Sequence, residues 1–313
     1  MKIIVTGGLG FIGSHLSDSL LLDKHKVIIL TRNLNSKSKI IKQLPKAKIE
    51  KVDTTDFHTL AKTIKKHKPD VIFHLAGETS HQNSFQDPMY DVDVNTKSTL
   101  CILETIRNFI PKCKLILGST FIVIGKPEKL PVNENSKCNP TTIYGSNRLT
   151  SEYFCNIYHN VYGLDTVVFR ITNCFGPREQ YKTPKKNALN YLIYQSYKNK
   201  KVTIYNQGDF FRDVIFITDV ISALKIILNK GKSGELYWIS SGKKTWFYNI
   251  GKYLEKFTNA NIVYQNPPSY TKKVDVGNFV TDNSKLKSLG WNLEVSVKDG
   301  IQQTLNYFKS NSL

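Results

Sequence analysis

A doubly wound parallel α/β sheet followed by a smaller C-terminal mixed α/β lobe is the fold class that the sequence predicts, on three observations. Short β-branched runs alternate with amphipathic helical stretches through residues 2–110, the pattern of parallel βαβ units. Glycines cluster where the first strand meets the first helix, so the chain turns tightly there without a steric penalty. Beyond Pro177 the alternation loosens into mixed helices and strands, which sets the C-terminal part off as a different architecture.

Lys2–Thr6 reads as the first buried strand and Phe11–Leu22 as the first helix. Residues 26–30, 48–52 and 71–75 supply three further strands, with Phe57–His67 as the helix before the last of them. Residues 114–117 and 166–169 are two more buried runs, with a helix over 144–162 between them. A strand at 213–217 and a helix at 219–228 are expected to return to the main sheet. The chain is therefore divided into a dinucleotide-binding domain, residues 1–175 with about 211–232 added, and a smaller lobe, residues 176–313. An amphipathic helix at 297–308 closes the chain. In open sheets of this kind ligands bind outside the carboxyl ends of the strands, where the strand order reverses.

A chain of 313 residues can bury a sizeable core, and 40% hydrophobic with 22% charged residues is ordinary for a globular protein. The start, Met-Lys-Ile-Ile-Val-Thr-Gly-Gly, lacks the apolar region and cleavage site of a signal peptide. No run reaches the roughly 18 apolar residues of a membrane span. A cytoplasmic protein with no membrane partner is expected. The cysteines at 101, 113, 138, 155 and 174 show no CxxC or CxxH spacing, so neither a disulfide framework nor a metal site is expected. The formal charge of +19 raises the question of nucleic acid. Lysines are spread along the whole chain, however, and the heaviest run, Lys37, Lys39, Lys42, Lys46 and Lys48, reads as a solvated surface. No nucleic-acid partner is expected, and the positive potential suits a phosphate-bearing substrate.

Thr6-Gly7-Gly8-Leu9-Gly10-Phe11-Ile12-Gly13-Ser14 follows the first strand and opens the first helix, the context that gives a glycine triplet meaning. Gly7 and Gly10 allow the turn and the close approach of a pyrophosphate, Gly13 lets helix and strand pack closely, and the helix start offers free N–H groups. A Rossmann dinucleotide site is the reading, with Phe11 and Ile12 in the first helical turn. At the end of the second strand, Thr31-Arg32 replaces the acidic residue that bonds the ribose of NAD. Arg32 favours NADP if it pairs with a 2′-phosphate, and NAD remains open if it stacks on the adenine or faces solvent. Asp53 suits the adenine amino group or a cap on the following turn.

Tyr144 and Arg148 are one turn apart on one helix face. A positive charge held beside a phenol favours its phenolate form, which suits general acid and base work on a hydroxyl or carbonyl. Together with Thr6-Gly7-Gly8-Leu9-Gly10-Phe11-Ile12-Gly13 and His74-Leu75-Ala76-Gly77, this pair resembles the extended short-chain dehydrogenase/reductase family, the NAD(P)-dependent nucleotide-sugar epimerases and dehydratases. The resemblance runs on through Asp87-Pro88, Asn95, Gly118-Ser119-Thr120, Gly176-Pro177-Arg178 and Gly208-Asp209-Phe210-Phe211-Arg212-Asp213. It closes with Asp275-Val276-Gly277 and Thr281-Asp282-Asn283.

The resemblance implies that Tyr144 is the catalytic tyrosine and that Thr120, flanked by Ser119, bonds the substrate oxygen being oxidised or reduced. It places Leu75, Ala76, Gly77 and Asn95 at the cofactor. It assigns Thr79, Asn173, Arg178, Arg212, Lys272 and Asp275 to the substrate, with Asn173 and Arg212 at the diphosphate and Asp275 at the nucleotide ribose. Arg148 departs from the family's lysine: it keeps the charge and can fork onto a ribose diol, but it cannot release a proton. Phe121 and Ile122 stand where the family's 4,6-dehydratases carry Asp-Glu, so elimination of water is disfavoured.

The expected function is thus an epimerase-like hydride transfer on a nucleotide-diphosphate sugar, at C4 in the first instance. A keto-sugar reductase or sugar-nucleotide dehydrogenase is the rival, a uronic acid decarboxylase comes after it, and a non-catalytic dinucleotide-binding regulator is the alternative of another class. The resemblance implies a homodimer formed by the helices near 89–109 and 144–162. His15, His25, His58, His67 and His159 lack ligand spacing, His74 reads as a packed structural residue, and His81 reads first as an ordinary loop residue, with substrate contact the lesser alternative. Tyr191, Tyr194 and Tyr197 read as a packed helix face.

Overall fold

The structure, a computed structural model, describes residues 1–34, 46–183, 187–267 and 275–311. Lys37, Lys39 and Lys42 of the lysine run, and Lys272, lie outside the described residues, as does the side chain of His81.

Strands β1 (Lys2–Thr6), β2 (Lys26–Thr31), β3 (Lys48–Lys51), β4 (Val71–His74), β5 (Lys114–Thr120) and β6 (Thr166–Ile171) join β11 (Leu236–Ile239) in one parallel sheet. Its order is β11-β6-β5-β4-β1-β2-β3. Ile3, Ile4 and Val5 of β1 and Ile72 and Phe73 of β4 are almost fully buried, as strands covered on both faces must be. Ile3 pairs with Val27 on one side and Val71 on the other, so the strand order reverses at β1 and the carboxyl ends of β1 and β4 lie side by side. That is where a doubly wound sheet opens a crevice.

Helices α1 (Phe11–Leu22), α2 (Phe57–His67), α3 (His81–Gln86), α4 (Pro88–Val92), α5 (Ser98–Phe109) and α6 (Ile143–Tyr162) connect these strands. The Asp56 side chain caps α2 by accepting the Thr59 N–H at 3.0 Å, and Leu60 and Ile64, one turn apart, enter a core with Ile102, Leu103 and Ile106 of α5. Each such side chain contributes about 1.5–3 kcal/mol by leaving water. Thr142 caps α6 through the Gly145 N–H at 3.0 Å, and Gly163, at φ 68°, ends it in the left-handed region. Between α4 and α5 lies one π-helical turn, Asp93–Lys97, a departure often found at functional sites.

Contacts divide the chain into two compact units, the first formed by Met1–Val123, Thr142–Arg170 and Leu224–Tyr237, and the second by Ile124–Thr141, Ile171–Ala223 and Trp238–Leu313. The remaining elements are β7 (Asn173–Phe175), α7 (Ala188–Lys198), β8 (Lys201–Tyr205), β9 (Phe211–Arg212), β10 (Val214–Phe216), α8 (Ile217–Lys230), β12 (Thr245–Trp246), α9 (Phe247–Thr258), β13 (Asn261–Gln265), α10 (Ser284–Ser288) and α11 (Val297–Ser310). The strand expected at 213–217 does not join the main sheet. β10 pairs in parallel with β7, and residues 236–239 complete the large sheet instead. Three apolar residues carry no partner information of their own; here the choice follows from Asn173, whose backbone and side-chain N–H groups both donate to the Asp213 carbonyl, at 3.2 and 3.1 Å. In the second unit Tyr194 and Tyr197 of α7 pack on Phe308 of α11, a packed face as expected.

A buried chain of hydrogen bonds fixes the reversal point. The Thr6 hydroxyl oxygen accepts the Leu75 and Ala76 N–H groups at 3.2 and 3.1 Å and lies 2.8 Å from His74 Nδ1. Ser98 donates to the Val94 carbonyl at 2.7 Å, so its oxygen accepts from His74 Nε2 at 3.1 Å, which leaves Nδ1 to accept the Thr6 proton. Burial, reinforced by the Arg148 charge, lowers the His74 pKa to about 3. A depressed histidine stabilises fully above its unfolded value of about 6.5 and loses that contribution as pH falls toward the folded value. His74→Asn is therefore expected to flatten the fall of urea midpoint stability below about pH 6.5 by up to one proton, about 1.4 kcal/mol per pH unit. Identical slopes in wild type and variant would refute the role.

Candidate active site

The glycine turn after β1 is shaped for a close ligand. Gly7, at φ 67°, donates to the Leu30 carbonyl at 3.0 Å and its own carbonyl accepts from Gly10 at 2.8 Å. A Cβ on Gly7 would stand 3.0 Å from the Ala76 backbone, and one on Gly13 would overlap the Gly7 carbonyl oxygen. Only glycine lets β1, the start of α1 and the Leu75-Ala76-Gly77 segment approach this closely. Gly10 caps α1 without a side chain, so the first-turn N–H groups of Phe11, Ile12 and Gly13 stand as anion donors with the positive end of the helix behind them.

Beside this turn, Gly77, Asn95 and Arg148 converge. A Cβ on Gly77 would meet Asn95 Oδ1 at 2.5 Å and Arg148 Nη2 at 3.5 Å. Asn95 sits in the π turn, fully buried, with its amide donating to the Glu78 carbonyl at 3.1 Å. Arg148 is 5% exposed, yet its Nε and Nη1, like Asn95 Oδ1, are buried with no hydrogen-bond partner among the described residues. Orphaned buried polar atoms of this kind cost about 1–3 kcal/mol each, so the arrangement awaits a ligand with both donors and acceptors. The fork of Arg148 and the carbonyl of Asn95 fit the hydroxyls of a nucleotide ribose, and the glycine cradle fits the pyrophosphate of the same dinucleotide.

The other end of a dinucleotide would reach β2 and β3. Thr31 accepts the Val52 N–H through its carbonyl at 2.9 Å, which brings the two strand ends together. Asp53 Oδ1 accepts the N–H and hydroxyl of Thr55, at 3.0 and 2.8 Å, so this carboxylate caps its own turn, the second of its two sequence readings. The exposed Arg32 donates to the Tyr90 hydroxyl, and its guanidinium lies 5.8 Å from that ring. Burial raises the Tyr90 pKa, and Asp53 and Glu78 raise it further against the Arg32 charge. Tyr90 was not singled out from the sequence. Its signal is Asp87, whose side chain caps α4 at the Tyr90 N–H, 3.0 Å away.

Tyr144 lies in the first turn of α6, 6% exposed, and α6 packs on β5, which Thr120 ends. The Thr120 hydroxyl oxygen accepts the Ile122 N–H at 3.3 Å. Ser119, next along the strand and so on the opposite face, donates to Glu152, a carboxylate that Arg170 clamps at 2.6–3.2 Å. Its hydroxyl is thus committed to a buried ion pair. Thr79 is exposed, with its N–H on the Glu78 carboxylate at 2.9 Å.

In the second unit Arg212 Nη2 bonds Asp275 Oδ1 at 2.6 Å and lies over the Phe210 ring at 5.1 Å. Burial lowers the Arg212 pKa against the pull of Asp275. Asn173 is tied to the Asp213 carbonyl, and Arg178 takes a left-handed φ of 67°. Asp213 itself is fully buried and accepts from Ser241, Gly242 and Thr281 at 2.7–3.2 Å, a hub that the sequence motif alone did not reveal.

A parallel α/β sheet with a glycine cradle at its reversal point defines the Rossmann class of dinucleotide-binding proteins. Comparison with known proteins narrows that class. A family model described as GDP-mannose 4,6 dehydratase matches residues 4–304. A provisionally named UDP-glucose 4-epimerase of Methanocaldococcus jannaschii is 31% identical over 99% of both chains. A Thermotoga maritima UDP-glucose 4-epimerase, solved with UDP-glucose, superposes with a TM-score of 0.92 at 28% identity over 100% of each chain. A Bacillus cereus UDP-glucuronic acid 4-epimerase, solved with UDP-glucuronic acid and NAD, superposes at 0.87 and 27% identity over 99% of this chain and 100% of its own. The chain belongs to the NAD-dependent nucleotide-sugar epimerase/dehydratase family, an extended short-chain dehydrogenase/reductase group. The lean toward NADP that Arg32 suggested gains no support, since the cofactor named for the solved relative is NAD.

Gly77→Ala is expected to push Asn95 and Arg148 aside and to weaken NAD binding about tenfold or more by calorimetry, with the far-ultraviolet circular dichroism spectrum unchanged. Unaltered affinity would separate this convergence from the cofactor.

Proposed function

We propose that the protein is a nucleotide-diphosphate-sugar epimerase that works at a sugar hydroxyl, C4 in the first instance, with Tyr144 as acid and base. The turn after Thr120 carries this reading. Phe121–Ile124 is a short 3-10 helix of four apolar residues, Ile122 to Ile124 buried, so the segment after Thr120 offers no carboxyl group to eliminate water. Tyr144 is then left to carry the proton. The names of the Methanocaldococcus, Thermotoga and Bacillus relatives, all 4-epimerases of UDP-sugars, support the choice and make a UDP-hexose the first substrate to try.

Tyr144 stands in the first turn of a capped helix, with Arg148 one turn further along the same face. Tyr144 exchanges a proton with the sugar hydroxyl while the Thr120 hydroxyl donates to the same oxygen; the proton returns when the carbonyl is reduced on its other face. A bound NAD supplies the hydride acceptor and donor. Arg148 offers Nε and Nη1 to the cofactor ribose and a fixed charge to the site, but no proton relay. NAD is the better fit, because Arg32 would have to leave Tyr90 to meet a 2′-phosphate. Asn173, Arg178, Arg212 and Asp275 are the proposed diphosphate and ribose contacts in the second unit.

Tyr144→Phe is expected to lower the interconversion of UDP-glucose and its C4 epimer about 10²–10⁴-fold, with NAD binding retained. Equal turnover would remove Tyr144 from the chemistry, and stoichiometric build-up of reduced nicotinamide absorbance would favour the rival dehydrogenase.

A homodimer completes the proposal. Tyr153, Ile157 and Val161 repeat every turn along α6 and are 59%, 47% and 66% exposed, and Met89 is 68% exposed, so one apolar stripe awaits a self-complementary copy. Ile157→Glu with Val161→Glu is expected to halve the mass seen by light scattering; an unchanged mass would place the interface elsewhere.

A further inference from the structure

We propose that the first unit carries a second anion site, at the opposite edge of the sheet from the glycine turn, that takes a small soluble polyphosphate. The site is an open cavity of about 510 Å³ at the amino ends of β1 and β2, lined by Lys2, Lys24, Lys26, Lys46, Lys48 and His25 among others, with no acidic residue among the described residues of its wall. Its volume is in the range of small-molecule sites.

The arrangement of the lysines follows from strand register. Lys2 pairs with Lys26 across β1 and β2, and Ile28 pairs with Lys48 across β2 and β3. Lys46 lies in the turn just before β3 and joins them in the cavity wall. Lys2 and Lys26 thus stand opposite one another on adjacent strands, where like charges repel, and Lys46 adds a third positive charge to the same wall.

Carboxylates nearby do not neutralise this wall. Glu50 already serves Lys48, Lys66 and His67, at 3.1, 3.5 and 2.9 Å. Asp70 accepts the Lys2 backbone N–H at 2.6 Å, and Asp23 pairs with Lys225 at 2.8 Å. Lys2 Nζ donates to the His67 carbonyl at 2.7 Å. Among the described residues Lys24, Lys26 and Lys46 have no carboxylate partner. The carbonyl ends of α1 and α2 offset only about half a charge each. A compact ion bearing several negative charges relieves all three lysines at once, and a concave wall suits it better than an extended strand.

The test is calorimetric titration of inorganic pyrophosphate into the full chain saturated with NAD, so that the glycine turn is already filled. A saturable site is expected that weakens with salt, is lost at least about tenfold in Lys24→Glu/Lys26→Glu, follows in the neutral Lys24→Gln/Lys26→Gln, and survives Arg212→Ala. Unchanged NAD affinity in both lysine variants shows that they remain folded. Absence of saturable binding, binding that both lysine variants keep, loss in Arg212→Ala instead, or equal heats from sodium chloride at matched ionic strength would each overturn the site. Binding of a short DNA duplex without pyrophosphate binding would overturn it as well.

Discussion

The approach of the Gly7 backbone to Ala76 is the constraint on which the first unit depends. A parallel sheet whose order reverses at β1 brings the loops after β1 and β4 out from neighbouring strand ends, and here they pass so closely that a Cβ on Gly7 would stand only 3.0 Å from the Ala76 backbone. The Thr6 hydroxyl holds the two loops together by accepting from Leu75 and Ala76, and its own proton is used by a neutral His74. Every polar group in that chain has a partner, which is the condition for burying it.

Immediately next to this satisfied network lies one that is not satisfied. Arg148 and Asn95 are buried with donors and an acceptor unpaired among the described residues, and they meet at Gly77. The contrast has energetic meaning, because the fold accepts a few kcal/mol of desolvation there that a bound ribose would return. Ser119 illustrates the opposite outcome. Its neighbour Thr120 sits on the other face of β5, whereas strand alternation turns Ser119 onto the Glu152–Arg170 pair.

The second unit is organised around a carboxylate. Asp213 draws the segments at 241–242 and 281 onto itself through backbone and hydroxyl donors, and it anchors β10 beside β7 through Asn173. Arg212, one residue earlier, faces away from that hub toward Asp275 and Phe210. Arg212 and Asp213, at the junction of β9 and β10, thereby serve different partners, the first an ion pair with Asp275 and the second a structural hub.

The sequence by itself determined the class of fold and the cofactor turn. Strand and helix periodicity, the position of the glycines and the Tyr144/Arg148 spacing are all local properties, and local chemistry decides them. The tertiary structure alone decided partners. Residues 214–216 and 236–239 are both short apolar runs, and only their neighbours determine that the second completes the main sheet. Nor did local sequence reveal that Arg32 is held by Tyr90, 58 residues away, or that Lys2, Lys26 and Lys46 line one cavity. Such contacts join distant segments, and spacing along the chain carries no record of them until the sheet sets the register.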